Sequence, residues 1–242
     1  MLKSKTISLI IPCRNEEKAI AAMLQKLPSC VDEVIVVDNN SRDKTAKVAR
    51  SLGAKVLTEK RQAHGIGYGY AHQRGLAAAK GDIVITMDGD NTYPLESIER
   101  VISYMIKSES TFVSCTRFPL KKTAAISKLR QLGVWILNTE VRVLYNYPIK
   151  DILSGMWAVD RSVISQLSLT EGGWNLSPEI KLSALFNKNI AFSEYHITHH
   201  HRDNGASKQV IWKTGFEHLL YILKRRFTVD TQFNLIRLSW TE

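Results

Sequence analysis

Two acidic residues separated by one glycine, Asp88 and Asp90, are the strongest candidates for chemistry in this sequence. They follow the apolar run at residues 83–87, whose length and β-branched content predict a buried parallel strand. Neighbouring carboxylates raise each other's pKa unless a cation lies between them. Hard oxygen ligands favour Mg²⁺ or Mn²⁺, which often complete their shell with substrate phosphates and water. The pair therefore predicts a metal site that handles a diphosphate, and a simple Asp-Gly turn is the alternative.

Two other predicted strands, over residues 7–12 and 31–37, also end on polar side chains. These are Arg14, Asn15 and Glu16 after the first strand, and Asp38 and Asn39 after the second. Asn15 is a suitable cap for the helix that follows it. Strands alternate with helices at a spacing typical of βαβ units, which predicts an α/β fold with a mostly parallel sheet. Because parallel strands end at one edge, the polar clusters and the acidic pair should face one crevice, the expected nucleotide site.

The composition is that of an ordinary globular protein. The chain has 242 residues, of which 44% are hydrophobic and 23% are charged, and its net charge is +10. The three cysteines have no metal-ligand spacing, so we expect free thiols in a reducing, cytoplasmic compartment. A basic surface attracts nucleic acid, anionic lipid or phosphorylated substrates. No helix-turn-helix, RNA-binding or zinc-finger pattern is present, so we expect no nucleic-acid partner.

The second half of the sequence is basic and partly apolar. Residues 126–145 predict a helix that is apolar on more than one face, and residues 210–223 predict an amphipathic helix with Trp212 and Phe216 on its apolar side. A further apolar stripe runs from Val229 to Trp240. Basic amphipathic helices lie in membrane interfaces, which predicts a peripheral protein at the cytoplasmic face of a membrane. Packing on the core, a second copy of the chain or a membrane-anchoring partner are the alternatives.

Seven short motifs resemble, in order, those of the dolichyl-phosphate mannosyltransferase-like branch of glycosyltransferase family 2. They are IIPCRNEE at residues 10–17, VVDNNSRD at 36–43, GIG at 65–67, DGD at 88–90, TR at 116–117, DILSG at 151–155 and RDNGASK at 202–208. The sequence departs from that family at Asn39, where members have a second aspartate, and at Thr92, where many have a glutamine that helps to hold the metal. It also has no counterpart of the C-terminal membrane helices of many members.

The resemblance implies one GT-A domain over residues 1–242, with a Rossmann-like, mostly parallel sheet flanked by helices. Residues 1–115 would bind a GDP- or UDP-sugar, and residues 116–242 a polyprenyl or dolichyl phosphate. The implied donor site consists of Pro12, Arg14, Asn15, Glu16, Asp38, Asn39, Asp88, Gly89 and Asp90, with Mg²⁺ or Mn²⁺ on Asp88 and Asp90. The implied acceptor-phosphate site consists of Arg117, Arg130, Ser154, Arg202 and Lys208, with Lys121 and Lys122 as weaker candidates. Asp90, Arg117 and Arg202 would be the catalytic residues.

The residue types favour a phosphate acceptor. A phosphate monoester is largely ionised at neutral pH, so it needs cations and no strong base, and arginine binds it with a planar fork. A sugar hydroxyl on a glycan or glycolipid is the alternative acceptor, and it would require a general base, for which Glu179 is the candidate. A nucleotidyltransferase would use a similar sheet and metal, but no glycine-rich phosphate loop follows the first strand. Because adjacent strand residues point to opposite faces, His199, His200 and His201 are not expected to form a metal site.

Overall fold

The protein forms a seven-stranded sheet with helices on both faces, as the sequence predicts. The computed structural model describes residues 5–63, 66–120, 126–202 and 207–228. The strands are β1 (Ile7–Cys13), β2 (Glu33–Asp38), β3 (Lys55–Thr58), β4 (Ile83–Thr86), β5 (Phe112–Thr116), β6 (Trp157–Asp160) and β7 (Phe192–His196). The helices are α1 (Glu17–Leu24), α2 (Thr45–Ser51), α3 (Tyr68–Ala78), α4 (Ile98–Lys107), α5 (Lys128–Tyr145), α6 (Leu176–Leu185) and α7 (Ile211–Thr228), and short 3₁₀ helices cover Leu95–Ser97 and Arg161–Gln166.

The sheet order is β3-β2-β1-β4-β6-β5-β7. All the pairings within β3-β2-β1-β4 are parallel, and so is the pairing of β5 with β7. β6 runs antiparallel to both of its neighbours, β4 and β5. Six strands therefore end at the same edge of the sheet, whereas β6 begins there. The sequence pattern did not reveal this reversal, because side-chain alternation does not encode strand direction.

Both faces of the sheet are buried, which explains the nearly continuous apolar runs of the strands. Every residue of β1 is buried. Leu9 and Ile11 pack on one face in a cluster with Ile20 of α1 and Ile102 of α4. Ile10 packs on the other face in a cluster that includes buried residues of α3 and α6. These two layers fix the strand ends against the surrounding helices.

Helices α5 and α7 pack against each other and leave an apolar surface exposed. Tyr145 of α5 donates a hydrogen bond of 2.7 Å to the carbonyl oxygen of Ile222 in α7. The apolar side predicted for α7 points outward, whereas Thr214, His218 and Ile222 are its buried residues. The exposed apolar residues of the pair are Leu129, Leu132, Trp135, Ile136 and Val143 on α5, and Trp212, Phe216, Leu220, Leu223 and Phe227 on α7.

Within the four described ranges, none of the helices combines the length and apolar character that a membrane crossing requires. Several predicted features lie outside the described residues. They are Gly65, Lys121, Lys122, the middle of the motif at 202–208 and the apolar stripe from Val229 to Trp240.

Candidate active site

A cavity of about 250 Å³ opens at the edge where the six strands end. Its walls come from both halves of the chain, because β5 and β7 end at the same edge as β1 and β4. Most of the predicted site residues line this cleft. They are Pro12, Arg14, Glu16, Asn39, Asp88, Gly89, Asp90, Arg117, Arg130, Arg202 and Lys208.

The acidic pair lies directly beyond β4, where the chain turns under the end of β1. The amide of Gly89 donates to the carbonyl oxygen of Pro12 at 3.3 Å. A Cβ atom at Gly89 would approach the Cβ of Cys13 to 2.6 Å, so only glycine fits between the two carboxylates. The hydroxyl of Tyr68, at the start of α3, donates to Asp88 Oδ1 at 3.0 Å. The turn is therefore fixed at Asp88 and Gly89 by contacts with other elements.

The electrostatics of the pair fit a divalent cation. Burial, followed by the charge of Asp90, raises the pKa of Asp88 to about 7. Thr92, at the place of the family's glutamine, donates from its hydroxyl to Asp90 Oδ1 at 2.6 Å. Among the described residues, no group of three or more histidine, cysteine or acidic side chains could hold a metal. Asp88 and Asp90 therefore suit Mg²⁺ or Mn²⁺ whose remaining ligands are substrate phosphate and water.

Four cations, here called the cationic wall, line the same cleft as the acidic pair: Arg117, Arg130, Arg202 and Lys208. Arg202 donates to Asp90 Oδ2 at 3.0 Å and also to Glu16 Oε1. Lys208 donates to the same oxygen of Glu16, which is 7% exposed. Burial and the like charges of Arg117 and Arg202 lower the pKa of Arg130. This crowding of positive charge would be relieved by an anionic ligand.

Arg117 is oriented by a buried aspartate. Its Nε and Nη2 atoms donate to the two carboxylate oxygens of Asp151 at 2.7 and 2.9 Å, and its amide donates to Asp151 Oδ2 at 3.1 Å. Asp151 is 0% exposed. Burial alone would raise the pKa of Asp151, but the guanidinium of Arg117 outweighs it and holds that pKa below its usual range. The aspartate of the DILSG motif thus fixes the guanidinium plane of Arg117 at the cleft.

Around Asn39 the cleft is lined by side-chain amides and by Arg14. The side-chain amide of Asn39 donates to the carbonyl oxygen of Ile66, and Gln62 donates to Asn39 Oδ1 at 3.4 Å. Arg14 donates in turn to Gln62 Oε1 at 2.8 Å. Amide groups both donate and accept hydrogen bonds, so this arrangement can match the edge of a nucleobase without a charge.

Three predicted site residues do not line the cleft. Asn15 does not cap α1: it has a positive φ of 53°, and its side chain accepts from the amide of Arg42 at 2.7 Å. Asp38 is buried and accepts from the amide of Ser41 at 3.3 Å. Ser154 is 0% exposed, with its hydroxyl 3.5 Å from that of Tyr93. These side chains support the loops beneath the cleft. Because Ser154 is buried, its side chain does not contact a substrate in this arrangement.

Glu179, the candidate base for a hydroxyl acceptor, does not face the cleft either. Its carboxylate is 0% exposed and accepts from the amide and hydroxyl of Thr170 at 2.9 and 2.7 Å, and from the amide of Glu171 at 2.9 Å. Burial and the hydrogen bonds to the 170–171 segment therefore count against Glu179 as the base for the alternative acceptor. The acidic residues that line the cleft within the described ranges are Glu16, Asp88 and Asp90.

The histidine triplet diverges around the cleft. His199 lies edge-on to Tyr93, with ring centroids 5.2 Å apart, and lines the cavity. His200 turns towards the exposed Glu96, with 3.7 Å between Nε2 and Oε1. Adjacent positions on an extended chain thus send these two side chains to different partners.

The aromatic side of the cleft was missed by sequence reasoning. Tyr68 and Trp174 lie with ring centroids 4.8 Å apart, and His218 of α7 contacts Asn175 Oδ1 through Nδ1 at 2.9 Å. Trp174 follows Gly172-Gly173, so an aromatic residue next to a glycine pair in a loop was the one available signal. Tyr68 and His218 occupy ordinary helix positions, and the sequence around them contains no signal of a place in the cleft.

A sheet edge that joins an acidic pair, a polar pocket and a cationic wall defines an enzyme of the GT-A glycosyltransferase class, and comparisons with known proteins agree. The chain belongs to glycosyl transferase family 2, whose model matches residues 8–168. It is 28% identical to a dolichol-phosphate mannosyltransferase of Pyrococcus furiosus over 247 residues, covering 96% of this chain and 68% of the relative.

Two further comparisons extend this picture. A low-salt glycan biosynthesis hexosyltransferase, Agl6, of Haloferax volcanii is 24% identical over 225 residues, covering 90% of this chain. The chain spans only 53% of the length of that relative. Among solved structures, the fold is similar to glucosyl-3-phosphoglycerate synthase from Mycobacterium tuberculosis in complex with Mn²⁺ and UDP-glucose, with a TM-score of 0.71 and 23% identity over 93% of this chain and 80% of that one.

We expect Asp90→Asn to lower kcat by a factor on the order of 10²–10³, because it removes one of two charges that would hold the cation. The substitution keeps the shape of the side chain and its contact with Thr92. Calorimetric titration with Mn²⁺ in the presence of nucleoside diphosphate should show weakened binding. Glu96→Gln, an exposed substitution nearby, is the matched control. Wild-type kcat and Mn²⁺ affinity in Asp90→Asn would remove Asp90 from the metal site.

Proposed function

We propose that this glycosyltransferase moves a sugar from a GDP- or UDP-sugar to a polyprenyl or dolichyl phosphate, with Mg²⁺ or Mn²⁺ held by Asp88 and Asp90. One observation carries the proposal: the cleft that contains the cationic wall and the acidic pair is also lined by apolar residues of α5 and α7, here called the apolar trough. An acceptor that suits this surface has an anionic head and a hydrocarbon chain.

The trough is the strongest argument for a lipid. Its apolar walls are Ile126, Val134 and Leu137 on the α5 side, Ile211 on α7, and Leu153. Gly133 of α5 and Gly215 of α7 also line it, and a Cβ atom built on either glycine would meet no atom within 4 Å. The two helices therefore leave open space beside the cationic wall, as a prenyl chain attached to a bound phosphate would require.

The groups in the cleft suit an acceptor that is already ionised. The second pKa of a phosphate monoester is about 6, so its oxygen is a nucleophile at neutral pH without help from a base. Arg117, Arg130, Arg202 and Lys208 would bind and orient that phosphate. Glu179 is buried and occupied, which counts against the alternative sugar-hydroxyl acceptor with this residue as base.

The reaction then needs little proton transfer. A phosphate oxygen forms a bond to the anomeric carbon while the bond from that carbon to the donor diphosphate breaks, and the electron pair leaves with the nucleoside diphosphate. The bound cation would supply Lewis-acid stabilisation of that leaving group. Arg14, Gln62 and Asn39 would bind the base. Arg202, the member of the cationic wall that contacts Asp90, would orient the two phosphates relative to each other.

Relatives support both substrates to different degrees. The P. furiosus relative is named for a dolichol-phosphate acceptor, and the solved M. tuberculosis enzyme contains UDP-glucose with Mn²⁺. The name of the latter enzyme, a glucosyl-3-phosphoglycerate synthase, makes a small phosphorylated acceptor the natural competitor. The apolar trough favours the lipid over that competitor.

The proposed acceptor places the protein at a membrane surface. The exposed apolar residues of α5 and α7 include Trp135 and Trp212, which are 64% and 75% exposed. Lys224 near the end of α7 is exposed, whereas Arg225 approaches Glu179 at 4.0 Å and Arg226 donates to the carbonyl oxygen of Leu144 at 2.9 Å. Aromatic and basic side chains on amphipathic helices bind the interface of anionic bilayers. We therefore propose peripheral attachment at the cytoplasmic face, with the trough open towards the lipid.

Transfer to lipid is tested by the phase in which the product appears. With a radiolabelled nucleotide-sugar, Mn²⁺ and farnesyl phosphate, we expect the label to move into the organic phase. Parallel reactions with 3-phosphoglycerate or a free sugar serve as the competing acceptors. A labelled product that stays in water, formed only with one of those acceptors, would contradict the lipid assignment.

Arg202→Ala should raise the KM for the prenyl phosphate by about 10-fold or more, because a charge-assisted contact with the acceptor is lost. Steady-state kinetics with the acceptor varied at saturating donor measures this change. Arg100→Ala, on an exposed face of α4, is the control. An unchanged acceptor KM and kcat in Arg202→Ala would exclude Arg202 from the acceptor site.

Membrane attachment can be measured by flotation with vesicles that contain anionic lipid. The double substitution of Trp212→Ser and Phe216→Ser should reduce the bound fraction severalfold, since both side chains are exposed apolar residues of α7. Leu52→Ser removes an exposed apolar residue on a different surface and should leave binding unchanged. Equal flotation of wild type and the double variant would rule out this face of α7.

A further inference from the structure

Lys181 is a fully buried lysine to which nothing above assigns a role. It lies on α6 and is 0% exposed. Its Nζ atom donates to the carbonyl oxygens of Ile152, Ser154 and Ser177 at 3.0, 2.6 and 3.2 Å. An ammonium group has three donors, and all three are used here. Lysine is almost never fully buried without partners, because removing its charge from water is costly.

The charged residues around Lys181 affect the cost of burying its ammonium group. Burial lowers the pKa of Lys181 to about 7, whereas the negative charges of Asp151 and Glu194 favour the charged form and Arg117 opposes it. An apolar side chain of similar length would satisfy none of the three carbonyl oxygens. Because buried acceptors without partners are costly, an apolar residue would be expected to let the segment shift.

Two of the three carbonyl oxygens belong to the loop at residues 151–155, which contacts both sides of the cleft. Its first residue, Asp151, forms the two-pronged contact with Arg117. Its last residue, Gly155, lies against the metal-site carboxylate: a Cβ atom there would be 2.7 Å from Asp88 Oδ2. The position of this loop therefore sets the position of Arg117 and limits that of Asp88.

Other contacts hold the ends of this loop but not its middle carbonyl groups. Glu194 of β7 accepts from the amide of Lys150 at 3.0 and 3.2 Å. Asn138 of α5 accepts from the amide of Ile152 at 3.0 Å. Lys181 adds the contacts to the carbonyl oxygens of Ile152 and Ser154, and through Ser177 it ties them to α6, whose first turn lines the cleft.

We propose that Lys181 is a positioning residue for sugar transfer, which holds the 151–155 loop so that Asp151 keeps Arg117 aimed at the acceptor phosphate. This inference rests on the proposed function in one respect, the role of Arg117 on the acceptor. Lys181 itself touches no substrate. Its effect on the reaction passes through the loop and then through Arg117.

A double-mutant cycle separates this role from a merely structural one. Lys181→Met keeps the length of the side chain and removes its donors, and it should raise the acceptor KM on the order of 10-fold, since small displacements of a positioned group have large kinetic effects. In an Arg117→Ala background the same substitution should change KM by less than about twofold. In an Arg202→Ala background it should retain its full effect.

Glu179→Gln is the matched control for lost stability. Glu179 is on the same helix and equally buried, but its hydrogen bonds go to residues 170 and 171 and not to the loop. It should lower the melting temperature and leave the acceptor KM within about twofold. Lys181→Arg, which keeps a cation, should recover part of the KM. If Lys181→Met is poorly folded, Lys181→Leu, which also lacks donors, takes its place in the same cycle.

Equal effects of Lys181→Met in the wild-type and Arg117→Ala backgrounds would overturn the proposal, as would a Lys181→Met variant that loses only melting temperature. The cycle is run with farnesyl phosphate and with 3-phosphoglycerate. Transfer only to 3-phosphoglycerate would exclude the proposed lipid acceptor. The coupling between Lys181 and Arg117 could still be measured with that substrate. If the wild-type protein used neither acceptor, the same double-mutant cycle would be measured as the affinity for inorganic phosphate by ³¹P NMR. Additive losses of phosphate affinity from Lys181→Met and Arg117→Ala would then reject the role of Lys181.

Discussion

The repulsion between two carboxylates one residue apart is the constraint on which the rest of the site depends. Asp88 and Asp90 are held close together because Gly89 fits under the end of β1, and burial adds to the cost of their charges. The protein meets this cost with a hydroxyl from Tyr68 and a guanidinium from Arg202. The cationic wall meets that demand for positive charge, and Glu16 in turn neutralises part of the wall through its contacts with Arg202 and Lys208.

This arrangement requires parts of the chain that are far apart in sequence. Arg202 contacts Glu16 across 186 positions, and it does so because β7 ends at the same edge as β1. The single reversed strand, β6, allows the DILSG segment to enter at that edge and place Asp151 behind Arg117. The directions of the strands thus bring motifs that are far apart in the sequence to one charged surface.

Much of this could be predicted from the sequence, and the failures have a common cause. The apolar runs of β1, β2 and β4 and the polar residues that follow them were sufficient to predict the sheet and the cleft that contains Asp88 and Asp90. The basic residues Arg117 and Arg202 could be placed at the cleft through motif resemblance. Asn15 was wrongly expected to cap α1, and the burial of Ser154 and Glu179 was not foreseen, because partners from distant loops decide both and local sequence does not contain them. The reversal of β6 and the aromatic pair Tyr68 and Trp174 depend on tertiary contacts in the same way.

Helices α5 and α7 turn one set of side chains towards the trough and another towards the surroundings. On the proposed function, a prenyl tail would stay in its bilayer while only its head moved into the cleft. The reaction would then take place in two dimensions, and its rate would follow the number of carrier molecules per unit area of membrane and not their bulk concentration. Dilution by inert lipid at a constant total amount of carrier would slow the enzyme.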